Sequence, residues 1–309
     1  MANPLLRSTL FCLLAYASAV GQQFDIPQEA RSERIIKRVD EVFLMISATD
    51  RKGKFVNDIK RNDLRILDNH LPPAKWNYFE PHTDLPLRVI LMIDTSGSVS
   101  SRFRFEQEAA RAFLKRVLRP GVDEAAVIAF DSDVYELQSL TSNVDRIVMA
   151  IDGMRPGDAT AFYDAVVLGS MKLAEEPEDR PLRHVLMVIT DGVDNQSHCS
   201  LQAAEQAAVK SEAVVLALDS SLPSGQKTAG AKALADLATS SGGFVLPAQE
   251  KSELKAALQK AEIFLRNQYA VGYTPMNFKA DGRFRPIEIK AARHGLRLHA
   301  RRGYFAPHD

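Results

Sequence analysis

Between residues 39 and 80 the apolar positions fall in short runs separated by turn clusters. Residues 39–48, 64–67 and 76–79 are rich in β-branched, aromatic and other apolar side chains, and Asp50-Arg51-Lys52-Gly53 and Asp68-Asn69-His70 lie between them. That pattern predicts strands joined by turns. A polar junction bounded by Pro81 and Pro86 follows, and the pattern then changes. Residues 87–93 (LRVILMI) are almost continuously apolar and end in Asp94-Thr95-Ser96-Gly97-Ser98. Such a run predicts a strand buried on both faces, as in a parallel sheet covered by helices.

An amphipathic helix is expected next, with Phe103, Ala110, Phe113, Leu114 and Val117 on one face and Pro120-Gly121 as its stop. Strands are predicted over 125–130 and 134–140, joined at Asp131-Ser132-Asp133. Further helices are predicted over 160–173, 201–210 and 227–239, with strands at 184–189, 214–218 and 244–246. A last helix carries Leu254, Ala257, Leu258, Ala261, Phe264 and Leu265 at helical spacing. Strands alternating with helices of 10–15 residues predict an α/β, doubly wound, mostly parallel sheet. After Asn267 the β pattern returns at 269–273, 287–291 and 296–300. The β segments 22–84 and 267–309 therefore flank an α/β domain at 85–266, and are expected to pair into one small β domain because domain ends often lie close together.

The extreme N-terminus is read separately. Arg7 precedes an apolar run at residues 10–17, and small residues continue to Gly21. This is the order of a secretory signal peptide, assigned to residues 1–21, and it is too short for a membrane-spanning helix. Cleavage of that segment, which holds Cys12, would leave Cys199 as the one cysteine, so an internal disulfide and cysteine–metal chemistry are not expected.

Lys+Arg 39 against Asp+Glu 39 gives formal net charge +0, which argues against a dedicated nucleic-acid binder. The charge is uneven. Residues 266–309 hold nine Lys/Arg and three Asp/Glu. Arg283, Arg285, Lys290, Arg293, Arg297, Arg301 and Arg302 there alternate with apolar residues, as on a strand with one solvated face. A contact with anionic lipid or polysaccharide is the less favoured alternative.

The chemistry concentrates after the first buried strand. In Asp94-x-Ser96-x-Ser98, alternate residues of an extended turn can aim one carboxylate and two hydroxyls at a single point. Hard oxygens of this kind suit Mg²⁺, although short Ser/Asp/Gly clusters are also common turn chemistry. Thr160 lies in a loop running into a helix and Asp191 where a buried strand meets a loop. Ligands of doubly wound sheets bind at such strand ends. The plainer roles are a helix N-cap for Thr160 and a turn-forming Asp-Gly for Asp191.

Asp94, Ser96, Ser98, Thr160 and Asp191, in that order, resemble the metal-ion-dependent adhesion site of the von Willebrand factor type A (VWA) family over roughly residues 87–265. Residues 42–53 and the ending Arg301-Arg302-Gly303-Tyr304-Phe305-Ala306-Pro307 resemble a bacterial family of exported VWA-related proteins. The resemblance implies Mg²⁺ or Mn²⁺ held directly by Ser96, Ser98 and Thr160, with Asp94 and Asp191 acting directly or through water. It also implies an open coordination position that receives an acidic side chain from a partner protein. Asp158 stands where the family more often has Gly. Asp158 and Asp194 are extra acids near the site, weighed against a plain role as solvated loop residues.

An enzymatic reading finds little support, because Gly-x-Ser-x-Gly, a Walker A loop and Gly-x-Gly-x-x-Gly are absent and the seven His residues show no zinc spacing. His198 is close to Asp191 in sequence but reads as an exposed loop residue. A phosphoryl-accepting role for Asp94 would want a second carboxylate where Ser96 stands. The expectation is an exported, non-enzymatic binding module of the cell envelope or exterior, with a structural module that binds without metal as the alternative.

Overall fold

The mostly apolar run at Leu87–Asp94 becomes β4, buried at all eight positions, an inner strand of a six-stranded sheet in the order β6-β5-β4-β7-β8-β9. The computed structural model describes residues 41–82, 85–99, 102–175, 182–221 and 228–308, all within one compact unit, Asp40–Asp309. The signal-peptide segment, residues 1–21, lies outside the described residues. β5 (Glu124–Phe130), β7 (Arg183–Thr190), β8 (Val214–Asp219) and β9 (Phe244–Pro247) run parallel to β4, and β6 (Val134–Thr141) pairs antiparallel with β5. The expected doubly wound, mostly parallel sheet is what forms.

Side-chain alternation along β4 explains the two helical layers. Val89, Leu91 and Ile93 face α1 (Phe103–Val117), α2 (Val144–Gly153) and α6 (Lys251–Arg266). Ile90 and Met92 face α3 (Phe162–Ala174), α4 (Leu201–Lys210) and α5 (Ala229–Ser241). Each fully buried side chain of this size contributes roughly 1.5–3 kcal/mol relative to exposure. α2 is absent from the sequence expectations. Only Ile147 and Ile151 of it are buried, so its apolar stripe is short, and its start is marked instead by Asn143, which caps Asp145 and Arg146.

The flanking segments form antiparallel sheets. β1 (Val42–Thr49) lies between β10 (Gln268–Thr274) and β12 (Arg297–His299), with β3 (Lys75–His82) beyond β10. β11 (Phe284–Ala291) lies between β2 (Leu64–Asp68) and β13 (Gly303–Phe305). Strands before and after the α/β layer are thus hydrogen-bonded neighbours, as in Val42↔Tyr273. The core between these sheets contains Leu44, Ile46, Ile66, Val271 and Ile287. Buried Asp68 joins the two sheets: Tyr273 of β10 and Tyr304 of β13 donate to its Oδ2 at 2.9 and 3.1 Å. Most basic residues of this region are exposed, including Arg283, Lys290, Arg297 and Arg302, and several are ion-paired. Arg285 is buried and pairs with Asp281, Arg293 pairs with Asp58, and Arg301 pairs with Glu212 and donates to the Phe43 carbonyl.

At the edge opposite the strand C-termini, Asp123 clamps the α/β layer shut. Its carboxylate accepts from Leu87 N, Arg119 N, Arg119 Nε and Nη2, and Arg266 Nη2 at 2.7–3.0 Å. Burial pushes this acid up, but those hydrogen bonds more than offset it and hold the carboxyl at about 2.

Candidate metal centre

At the C-terminal end of β4 the chain turns sharply, and Asp94 stays buried beneath the turn. Its Oδ1 accepts from Ser96 N at 2.8 Å, an Asx-type turn that curls Ser96 and Ser98 back toward the carboxylate. Its Oδ2 accepts from Thr190 Oγ1, the last residue of β7, at 2.6 Å. The same Thr190 oxygen accepts from Gly192 N at 3.1 Å, which fixes the backbone just beyond Asp191. Asp94 is therefore held from two adjacent parallel strands. Burial raises its carboxyl above the ordinary range, the Ser96 and Thr190 hydrogen bonds lower it, and the nearby Asp191 charge raises it again.

Ser96 is buried and Ser98 exposed, with their hydroxyl oxygens 3.0 Å apart. Two ligands on adjacent corners of an octahedron of ~2.1 Å radius are separated by about 3.0 Å, so this pair fits a hard divalent cation. Among the described residues no three His, Cys, Asp or Glu side chains group as a metal site. The donors available at this edge are hydroxyls with flanking carboxylates, a set that suits Mg²⁺ or Mn²⁺ better than a softer metal.

Thr160 arrives on a separate loop that is clasped to both neighbours. Gly157 N donates to Thr95 O at 2.6 Å and Gly97 N to Asp158 O at 3.0 Å. Thr160 N donates to Asn195 Oδ1 at 2.9 Å, and its carbonyl accepts from Asn195 N and Gln196 N, both at 3.1 Å. Thr160 is not a helix cap: α3 starts at Phe162 after Ala161, which makes no side-chain cap. The helix begins two residues later than the expected 160, and that frees Thr160, buried at 3% exposure, to belong to the loop.

Asp191 is half-buried, with Oδ1 accepting from Val193 N at 3.0 Å. Gly192 follows with φ of 75°, and a Cβ there would come 2.5 Å from the Gly230 carbonyl oxygen. Glycine is required by both the backbone angle and the close approach of α5. Asp158 is exposed. Asp194 accepts from Tyr163 N at 2.9 Å and Ser197 Oγ at 2.6 Å, so it organises the loop. Asp164 accepts from His198 N at 2.9 Å, Cys199 N at 2.8 Å and His198 Nδ1 at 3.1 Å. Burial works against this acid, but the two backbone donors and their side chains bring it to about 2.

Thus the 94–98 turn, the Thr160 loop and the Asp191 loop meet at one sheet edge through backbone and side-chain hydrogen bonds. Thr190, Asn195 and Glu106 are part of the setting and were not singled out by sequence reasoning. Thr190 is signalled only by its position before Asp191. Glu106 is the one charge in the apolar stripe of α1, three residues after Phe103 and four before Ala110.

Comparison with known proteins bears on the fold of this region. Residues 89–193, about a third of the chain, match the family model described as von Willebrand factor type A domain. A von Willebrand factor type A structure from Catenulispora acidiphila is 13% identical, covers 81% of this chain and 76% of its own, and gives a TM-score of 0.50. The D319A mutant of the PilB minor pilin from Streptococcus sanguinis is 14% identical, with 59% of this chain and 62% of that chain covered and a TM-score of 0.49. The chain thus spans less than two thirds of that pilin. Proximal thread matrix protein 1 from the mussel byssus, solved with a zinc-occupied MIDAS motif, is 16% identical, covers 64% of this chain and 49% of its own, and gives 0.49. No curated protein matches by sequence.

Proposed function

Starting from the premise that this chain contains a von Willebrand factor type A domain, we propose that it is a non-enzymatic, exported protein-binding module whose contact depends on a divalent cation. One observation carries the reading: the Asp94–Ser98 turn presents two hydroxyls 3.0 Å apart above a buried carboxylate, and backbone hydrogen bonds tie it to the Thr160 loop. Ser96, Ser98 and Thr160 would hold Mg²⁺ or Mn²⁺, with Asp94 and Asp191 acting directly or through water. When bound, the cation supplies a localised positive charge that attracts an acidic side chain of a protein partner.

The chain's own residues do the positioning. Thr190 and Ser96 N orient Asp94, Gly192 allows the Asp191 loop to pack against α5, and Asn195 holds the Thr160 backbone. The hydroxyl partner of Ser96 is Ser98 rather than an imidazole, which supports binding over nucleophilic catalysis. The signal-like pattern of residues 1–21 supports a location in the cell envelope or outside the cell.

The test begins with thermal unfolding of the full chain in Mg²⁺ and in EDTA, for wild type and for Ser98→Ala. Mg²⁺ is expected to raise the melting temperature of wild type and leave the variant unmoved. An affinity capture from an envelope extract then runs with the same proteins and buffers. A partner retained only by wild type in Mg²⁺ supports the reading. Equal retention in every lane, with no thermal shift, reduces the site to structure and moves the binding surface elsewhere.

A further inference from the structure

Glu106 lies in the first turns of α1, fully buried at 0% exposure, in a stripe otherwise made by Phe103, Ala110, Phe113, Leu114 and Val117. Neither of its carboxylate oxygens has a hydrogen-bond partner. Burying a carboxylate without partners is among the most costly arrangements available to a side chain. A group of this kind in a folded protein calls for a water, an ion or a task. Arg102, one helical turn earlier and 9% exposed, acts on it electrostatically, yet the Nε and Nη1 atoms of that guanidinium are also unpartnered.

The surroundings say what the task is. Burial works most strongly against ionisation of Glu106, Arg102 favours it, and the nearby charges of Asp94 and Asp191, the two carboxylates of the proposed cation site, oppose it further. Three carboxyl groups face one guanidinium here, so the cluster is short of positive charge, and a divalent cation would supply it. Among the described residues these acids do not group as a direct ligand set, which favours a role for Glu106 at one remove from the ion. α1 begins four residues after the 3₁₀ turn Gly97–Val99 that carries Ser98, which brings its first turns under the same edge.

We infer that Glu106 is a positioning residue of the cation site: its carboxylate accepts hydrogen bonds from water bound to the ion, and its charge, opposed by Arg102, sets how tightly the ion is held. The inference rests on the cation-dependent reading above and adds a determinant that the Asp-x-Ser-x-Ser pattern does not contain. A group acting through bound water aligns the inner ligands and also shifts the affinity.

The decisive experiment is calorimetric titration of Mg²⁺ into the full chain as wild type, Glu106→Gln and Arg102→Gln, with melting temperatures in EDTA beside it. Glu106→Gln keeps the shape and removes the charge, so Mg²⁺ affinity is expected to fall about tenfold to a hundredfold. In EDTA the same variant is expected to melt at or above wild type, because an unpaired buried charge is gone. Arg102→Gln removes the opposing charge and is expected to bind Mg²⁺ more tightly; if Glu106→Gln does not fold, this variant decides, and unchanged or weaker binding overturns the assignment. Wild type binding Mg²⁺ with Glu106→Gln equal to it also overturns the assignment, while leaving the cation-dependent reading intact. Wild type taking up no Mg²⁺ overturns both.

Discussion

Replacing Asp123 with Asn tests whether the clamp at the base of the α/β layer holds the domain together as its geometry implies. The carboxylate gathers five donors from three places: the start of β4, the α1–β5 turn and the end of α6. In Asp123→Asn an amide nitrogen replaces one oxygen, so it opposes donors that Oδ2 now accepts from Arg119 and Arg266. Removing one partner of a buried ion pair costs roughly 3–5 kcal/mol, and that is the expected loss at pH 7. The pH dependence gives an independent number. The carboxyl sits at about 2 when folded, against an ordinary 3.8, a difference worth about 2.4 kcal/mol. Because the folded value is depressed, this stabilisation is fully present above the unfolded value and is lost as pH falls toward 2. At pH 3, wild type should already have lost about 1 kcal/mol of it, so its advantage over Asp123→Asn narrows by that amount. Urea unfolding of both proteins at pH 7 and pH 3 measures each term. Equal midpoints at pH 7, or a gap that stays constant between the two pH values, would refute the reasoning.

Gly192→Ala is expected to cost at least ~2 kcal/mol, from a positive φ combined with a Cβ pressed against the Gly230 carbonyl; unchanged thermal stability would show that α5 can retreat. Tyr273→Phe removes one of two hydroxyl donors to buried Asp68. A loss of about 1.5–3 kcal/mol in chemical unfolding is expected, and a loss below a few tenths would mean that water replaces the hydroxyl. Asp164→Ala deletes the acceptor for His198 N and Cys199 N, so hydrogen exchange at those two amides should accelerate while α4 and β7 keep their protection. Uniform acceleration across the domain would instead assign Asp164 to global stability.

The α/β layer was legible because its strands are buried on both faces: LRVILMI in β4 and the apolar run of β7 need no tertiary information to be recognised. The five candidate site residues were proposed from the family resemblance. Their support was less legible, because Thr190 and Asn195 act through hydrogen bonds formed across 96 and 35 residues, which no local pattern encodes. α2 escaped notice because it buries only two side chains. Most of the C-terminal basic residues do form the solvated face that alternation predicts, and Arg285 and Arg301 depart from it. Strand alternation shows which side a residue takes, but Arg285 and Arg301 find acids at Asp281 and Glu212 only after the chain has folded. Glu106 was visible as a charge inside an apolar stripe, and periodicity alone gave no reason to prefer a task over a tolerated exception.

The pairing of β1 with β10 also sets a timetable for synthesis. About 230 residues separate Val42 from Tyr273, so at typical elongation rates β1 emerges roughly 10–45 seconds before its neighbour exists. Through that interval an apolar strand, VFLMISAT, has neither of its edges paired, and β12 arrives later still. The α/β layer is complete in the meantime as far as its strands are concerned. Nascent chains stalled before residue 268 should therefore be the ones that attract holding chaperones or aggregate, and their release should coincide with the emergence of β10 and β12.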